Sequence, residues 1–335
     1  MPASIISSLR TLPSKRRFLA ALFAATLPFS IPMAAAAEKF PDRPIRIIVP
    51  VGAGGGTDVF ARALADMAST ALGQTVLVEN RPGASGTLGV QQVVTANPDG
   101  YTLGFIWNTP LTAAPHSVSA RYTPDDYVAM FDVGYSAYTL CAQPNFPANG
   151  LKEMIALIRS KPDTYSWGNE GAGGTLHLGM ERVIQTLGLK MTVVPFQGGH
   201  KSLNALLGGH IDFYGGSVVV GMGAIKANKM KCLLLTTAED SPDVPGASGL
   251  ASIGLADHAV TIWWGMIAPK GIPADRMQRL QTVFQEAVQS ERMRGILAAQ
   301  GATPRMRTGD ALRTAIRDEY NALGSVADRL GLKKP

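Results

Sequence analysis

The sequence predicts an α/β fold of two domains that face each other across a cleft. Three observations carry this. Strand-like and helix-like segments alternate along the chain, which is the pattern of an open α/β sheet. A glycine turn occurs twice, as Gly52-Ala53-Gly54-Gly55-Gly56-Thr57 and as Gly171-Ala172-Gly173-Gly174-Thr175, each time between an apolar or aromatic strand and a patterned helix. Finally, about 298 of the 335 residues remain once a leader-like segment is set aside. That is too many for one comfortable core and suits two.

The first 37 residues read as a secretory leader. Lys15-Arg16-Arg17 is a positive stretch, Phe18 to Phe29 is apolar, and Ala34 to Ala37 offers a small-residue cleavage site before Glu38. The competing reading is a membrane anchor. The apolar stretch is too short for one, since a spanning helix needs about 20 residues, and it is broken by Pro28 and Pro32. Ser14-Lys15-Arg16-Arg17-Phe18-Leu19 also resembles a twin-arginine signal, so Sec and twin-arginine export both stay open. A periplasmic protein is expected either way. The four basic residues of the leader account for most of the formal net charge of +6, and +2 is left for the rest. The remaining basic residues form no patch, so nucleic acid is not an expected partner.

Ile45 to Val49 is a buried-type strand. The helix after it shows Phe60, Leu64, Met67 and Ala71 about one turn apart and stops at Gly73, a common C-terminal stop. Thr75 to Val78 is the next strand, followed by a turn at Asn80 to Gly86. Leu88 to Ala96 is helical, and Thr102 to Trp107 is a third strand, which completes a βαβαβ unit. Thr109 to Ala137, with Pro110, Pro115 and Pro124, reads as irregular, before a strand-like run at Tyr138 to Ala142. A second unit follows. Leu151, Met154, Ile155 and Ile158 line one helix, and Leu176, Met180, Val183 and Leu187 line another. Strands are expected at Tyr165 to Trp167, Thr192 to Val194, Ile211 to Tyr214 and Lys231 to Thr236, with a short helix at Leu203 to Leu207. Thr261 to Ile267 then leads back to the first domain. Pro273 opens a long helix and Thr308 caps the last one. The expected boundaries are 1–37 leader, 38–138 first domain, 139–257 second domain and 258–335 return to the first. Two chain crossings then make a hinge.

The chemistry follows from the two turns. Glycines let the backbone turn tightly, and a helix start presents N–H groups that have no partner inside the helix and favours negative charge. Two such starts aimed at one cleft point to an anionic ligand. Thr57 and Thr175 read as N-caps whose hydroxyls can also face it. Metal binding is poorly supported, because His116, His177, His200, His210 and His258 lack ligand spacing. No Gly-x-Ser-x-Gly elbow is present, and no catalytic residue is assigned. The rival is a dinucleotide-dependent oxidoreductase using the Gly52–Thr57 turn, with Glu79 at the ribose position. The third glycine of that fingerprint falls on Thr57, however, and the second turn has no role in it. Cys141 and Cys232 either pair or are separately buried; spacing does not choose between these. Trp107, Trp263 and Trp264 read as core or as stacking surfaces for an aromatic ligand.

Several stretches together resemble the Bug family, the periplasmic solute receptors of tripartite tricarboxylate transporters. They are Asp42-Arg43-Pro44-Ile45-Arg46, Gly55-Gly56-Thr57-Asp58, Glu79 to Gly86, Pro98 to Leu103, Gly173 to Leu178, Val194 to Gly198, Leu207 to Asp212, Pro242 to Pro245 and Trp264 to Pro269. The resemblance covers nearly the whole mature chain. It implies a two-lobed Venus-flytrap fold, a small carboxylate in the cleft, membrane subunits of a tripartite transporter as partners, a monomeric receptor, and neither cofactor nor metal. Carried over residue by residue, it points to Gly54, Gly55, Gly56, Thr57 and Asp58, to Gly174, Thr175 and His177, and to Ser85 and Gly86 as ligand-facing. The chain departs from the family's usual pattern at Val51 to Gly54, where prolines are usual, at His116 to Arg121 and at Lys201-Ser202-Leu203. The carboxylate, whether a di- or tricarboxylate or an aromatic acid, therefore stays open. His177 has a second reading as a residue that bonds its own loop.

Overall fold

The structure, a computed structural model, describes residues 40–332; the leader and its cleavage site lie outside them. The first lobe begins with β1 (Ile45–Val49), α1 (Gly56–Leu72), β2 (Val76–Asn80), α2 (Thr87–Val94) and β3 (Thr102–Trp107). β1 lies between β2 and β3 and runs parallel to both. Three of β1's five side chains fall in the main core and every position but Arg46 is buried, as expected for a strand covered on both faces. A short α3 (Thr109–Thr112) follows.

The main surprise against the sequence is β4 (Tyr127–Ala142), a strand of 16 residues of which only Tyr138 to Ala142 is expected from the sequence. Its residues up to Ala137 pair antiparallel with β9 (Thr261–Pro269), and Tyr138 to Ala142 pair with β7 (Phe213–Ser217) and β8 (Lys231–Leu235). One strand thus belongs to both halves of the sheet. Its register shifts around Met130 and Val133; such irregularities bend a strand and increase its twist. Between them the fully buried Asp132 is held by Arg305 and Arg307 at 3.0 and 2.7 Å.

The second lobe contains α4 (Leu151–Ser160), β5 (Ser166–Asn169), α5 (Thr175–Thr186), β6 (Thr192–Pro195), α6 (Gly199–Leu207), β7, α7 (Val218–Lys226) and β8. β5 runs parallel to both β6 and β7. The chain returns through β9, which pairs β3 on its other side. α8 (Ala274–Gln289), α9 (Glu291–Ala299), the short β10 (Thr303–Pro304) and α10 (Gly309–Arg329) follow. The sheet order is β2-β1-β3-β9-β4-β7-β5-β6, with β8 and β10 both beside β4. Pro273 is the N-cap residue of α8, and Thr308 occupies the cap of α10 without a side-chain cap bond.

Cys141 and Cys232 are register partners on β4 and β8 and form a disulfide, which decides between the two alternatives left open above. Among the described residues, no helix is long and apolar enough to cross a membrane.

The interlobe cleft as candidate functional site

Both glycine turns open into one cavity of ≈ 280 Å³ between the lobes. Val51 to Ala53, Gly55, Gly56, Thr57, Ser85 and Trp107 line it from the first lobe. Glu170, Gly171, Gly174 to His177, Gln197 to His200, Ser217, Val219 and Val220 line it from the second. Tyr138 and Trp264 come from the shared strands β4 and β9. No Lys or Arg is among these residues.

The first turn leaves backbone donors available. Gly55, not Thr57, is the N-cap of α1, with φ −81° and ψ 168°. The N–H groups of Gly56 and Thr57 then lie in the first turn, where helix geometry supplies no acceptor. The Thr57 hydroxyl accepts from Trp264 Nε1 at 3.0 Å. A hydroxyl that accepts one bond keeps a proton to donate. Asp58 does not line the cavity. Its Oδ2 accepts from the Gly54 N–H and from Arg62 Nε, both at 3.0 Å, and its Oδ1 accepts from Asn80 Nδ2 at 2.8 Å. Burial alone would raise the pKa of this carboxyl, but Arg62, Gly54 and Asn80 together hold it below its ordinary value. Gly54 is likewise absent from the lining. Its N–H is consumed by Asp58, and its φ of +89° is the left-handed step that aims the loop. Gly86 sits behind the wall, where an added Cβ would lie 2.6 Å from Pro110 and 2.7 Å from Trp107. Ser85 does reach the cavity.

The second turn is occupied by its own lattice of bonds. Gly174 is the N-cap of α5, so Thr175 is its first residue and not a cap. The Gly174 N–H donates to Gly171 O at 3.3 Å, and the Thr175 N–H to Thr109 Oγ1 at 3.3 Å. Thr109 in turn donates to the Thr175 hydroxyl at 3.0 Å, which is a buried bond between lobes. His177 bonds its own loop, Nδ1 accepting from the Gly173 N–H at 2.9 Å, and its ring lines the cavity. Burial lowers its pKa. A neutral ring that accepts at Nδ1 carries its proton on Nε2.

Sequence inspection missed a third glycine turn, Gly198-Gly199-His200, because the helix it opens was placed at Leu203. α6 begins at Gly199, and Gly198 has φ +99°. The Gly198-Gly199 pair ahead of a helix was the visible signal. Ser217, the N-cap of α7, accepts from Val220 N through its side chain. Of the three tryptophans named above, Trp107 and Trp264 line the cavity, whereas Trp263 does not and instead donates from Nε1 to the half-buried Glu319 at 2.7 Å.

A two-lobed α/β protein with helix starts converging on an interlobe cavity is a solute-binding receptor in architecture. Residues 60–332 match the tripartite tricarboxylate transporter family receptor, and the chain belongs to that family of periplasmic receptors. It is similar to protein BugT of Bordetella pertussis, 30% identical over 319 residues, with 93% of this chain and 96% of BugT covered. Among solved structures it resembles MatC of Rhodopseudomonas palustris with bound malate, with a TM-score of 0.75 and 27% identity over 86% of this chain and 99% of that one. It also resembles an R. palustris protein solved with adipate, with a TM-score of 0.77 and 25% identity over 87% and 98%. Membership of a receptor family leaves the oxidoreductase reading without support.

Proposed function

We propose that this receptor binds a small carboxylate in the interlobe cleft and delivers it to the membrane subunits of a tripartite transporter. The ligand carboxylate rests on the N–H groups at the start of α1, from Gly55 to Thr57, with the Thr57 hydroxyl and His177 Nε2 beside it. The observation that carries this is a cavity lined by the starts of α1, α5, α6 and α7 and by no Lys or Arg. An anion held there is held by backbone dipoles. Each hydrogen bond to a charged group contributes about 1.5–3 kcal/mol, and each helix end about 0.3–2 kcal/mol. Four or five such contacts bring micromolar affinity, about −8 kcal/mol, within reach. Similar folds with malate and adipate bound support the ligand class.

The lobes move about β4 and β9, with 38–138 and 258–335 as one body and 139–257 as the other. The receptor acts as a monomer whose mature chain begins at or near Glu38. N-terminal sequencing of exported protein would read that start directly. A thermal-shift screen of carboxylates tests the binding function. A ligand at 100 times its Kd adds about 2.7 kcal/mol, and Gly55→Val, whose side chain would enter open space in the cavity without backbone strain, removes that response. A response that survives in Gly55→Val places the ligand elsewhere.

A further inference from the structure

Glu170 is a carboxylate inside a carboxylate-binding cleft. It follows β5, lines the cavity, and its Oε1 accepts from the Ser217 N–H at the start of α7 at 2.8 Å. The same oxygen lies 2.7 Å from where a Cβ on Gly199, the first residue of α6, would stand. The protein has therefore set its own anion against two helix starts of the second lobe. The Ser217 hydroxyl also bonds this carboxyl. The other titratable groups around this end of the cavity are Tyr138 and Tyr214, which burial keeps as neutral phenols, and His177 and His200. Lys201, in the first turn of α6, directs its ammonium to Gln197 Oε1 at 3.2 Å.

We propose that Glu170 selects among carboxylates by charge at the far end of the ligand, accepting a hydrogen bond from a cationic nitrogen and disfavouring a second carboxylate. Resting on the carboxylate function proposed above, this narrows the substrate class to amino-carboxylates, with the carboxylate on the α1 start and the ammonium toward Glu170. Burial raises the pKa of Glu170, which its bonds to Ser217 only partly offset. Ligand charge and Glu170 protonation are therefore linked: a dicarboxylate complex retains a proton on Glu170, and an amino-carboxylate complex releases it.

The test uses matched pairs of one length, succinate with 4-aminobutyrate and adipate with 6-aminohexanoate, titrated calorimetrically in two buffers of different ionisation enthalpy. The expected result is at least tenfold tighter binding of the amino-carboxylate in the pair that fits the cavity. Its complex should also hold measurably fewer protons from Glu170 than that of its dicarboxylate partner. Glu170→Gln keeps an acceptor for the Ser217 N–H, so it should fold, and it should collapse or reverse the preference and abolish the proton difference. The proton count in the unmodified protein stands even if the variant fails to fold. Dicarboxylates binding as tightly as their partners, with no proton difference, overturn the role of Glu170 and leave the carboxylate function standing. No binding of any of the four overturns both.

Discussion

Replacing Gly56 by alanine adds one methyl group at a point where the lobes touch. Gly56 is the first residue of α1, and an added Cβ would stand 2.4 Å from Cγ1 of Val219 on α7, across the cleft. Carbon atoms at rest sit about 3.5–4.0 Å apart, so one partner must retreat by about 1 Å. Val219 cannot swing aside cheaply, because a β-branched side chain in a helix has one strongly preferred rotamer. Overpacking of this kind costs about 1–3 kcal/mol. Here the cost falls only on the form in which the lobes touch. Gly56 does not need a positive φ, so alanine also stiffens the unfolded chain and stabilises the first lobe by about 0.4–1 kcal/mol. Stability and affinity should therefore move in opposite directions. Gly56→Ala should melt no lower than the parent yet bind its carboxylate roughly 5- to 150-fold more weakly. Val219→Ala removes the clashing atom, so the double variant should recover most of that loss, with a coupling of at least about 1 kcal/mol in the cycle. Calorimetric titration and thermal melts of the four proteins decide this. Parent-like affinity in Gly56→Ala, or a loss that Val219→Ala does not relieve, would refute the closure geometry.

Reducing the Cys141–Cys232 disulfide, which spans 91 residues of sequence, should lower stability by up to about 4.6 kcal/mol on the chain-entropy estimate; an unchanged melting temperature under reductant would contradict it. His177 has a folded pKa below its ordinary value because it is buried, so its contribution is present above about pH 6.5 and is lost as pH falls through the folded value; melts of His177→Ala should lack that part of the acid slope, and an identical slope would be evidence against it. Glu319→Ala strips Trp263 Nε1 of its acceptor and Asn108 Nδ2 of one of its two, whereas Thr112 Oγ1 keeps Asn108 O, and should cost about 2 kcal/mol or more, since each buried donor bond left unmade costs about 1–3; a denaturant midpoint within error of the parent would refute this.

The first glycine turn was readable because its strand, its glycines and its helix are contiguous in sequence. The same holds for the βαβαβ unit around it. β4 was hidden because it is buried along almost its whole length, so no period-2 alternation marks it, and Gly134 interrupts its apolar run. α7 was hidden because Val218-Val219-Val220-Gly221-Met222-Gly223 has the β-branched and glycine-rich composition of a strand and turn. Only packing against β4 and β7 makes it a helix. The caps were misassigned by one or two residues, from Thr57 to Gly55 and from Thr175 to Gly174. The consequence is chemical: Gly174 and Thr175 spend their N–H groups on Gly171 and Thr109, which leaves the α1 start as the better-supplied donor. Thr109 and Glu170 carry no motif. Their roles arise from partners 66 and 47 residues away in sequence, a distance that local patterns do not span.

On the proposed function, the ligand anion is held by backbone N–H groups at the start of α1 and by no cationic side chain. A crystal structure with a bound carboxylate tests it most directly. Carboxylate oxygens should lie about 2.7–3.2 Å from the amide nitrogens of Gly55, Gly56 or Thr57, with no Lys or Arg nitrogen in contact. A carboxylate paired with a guanidinium or ammonium, or seated outside the cleft, would contradict it.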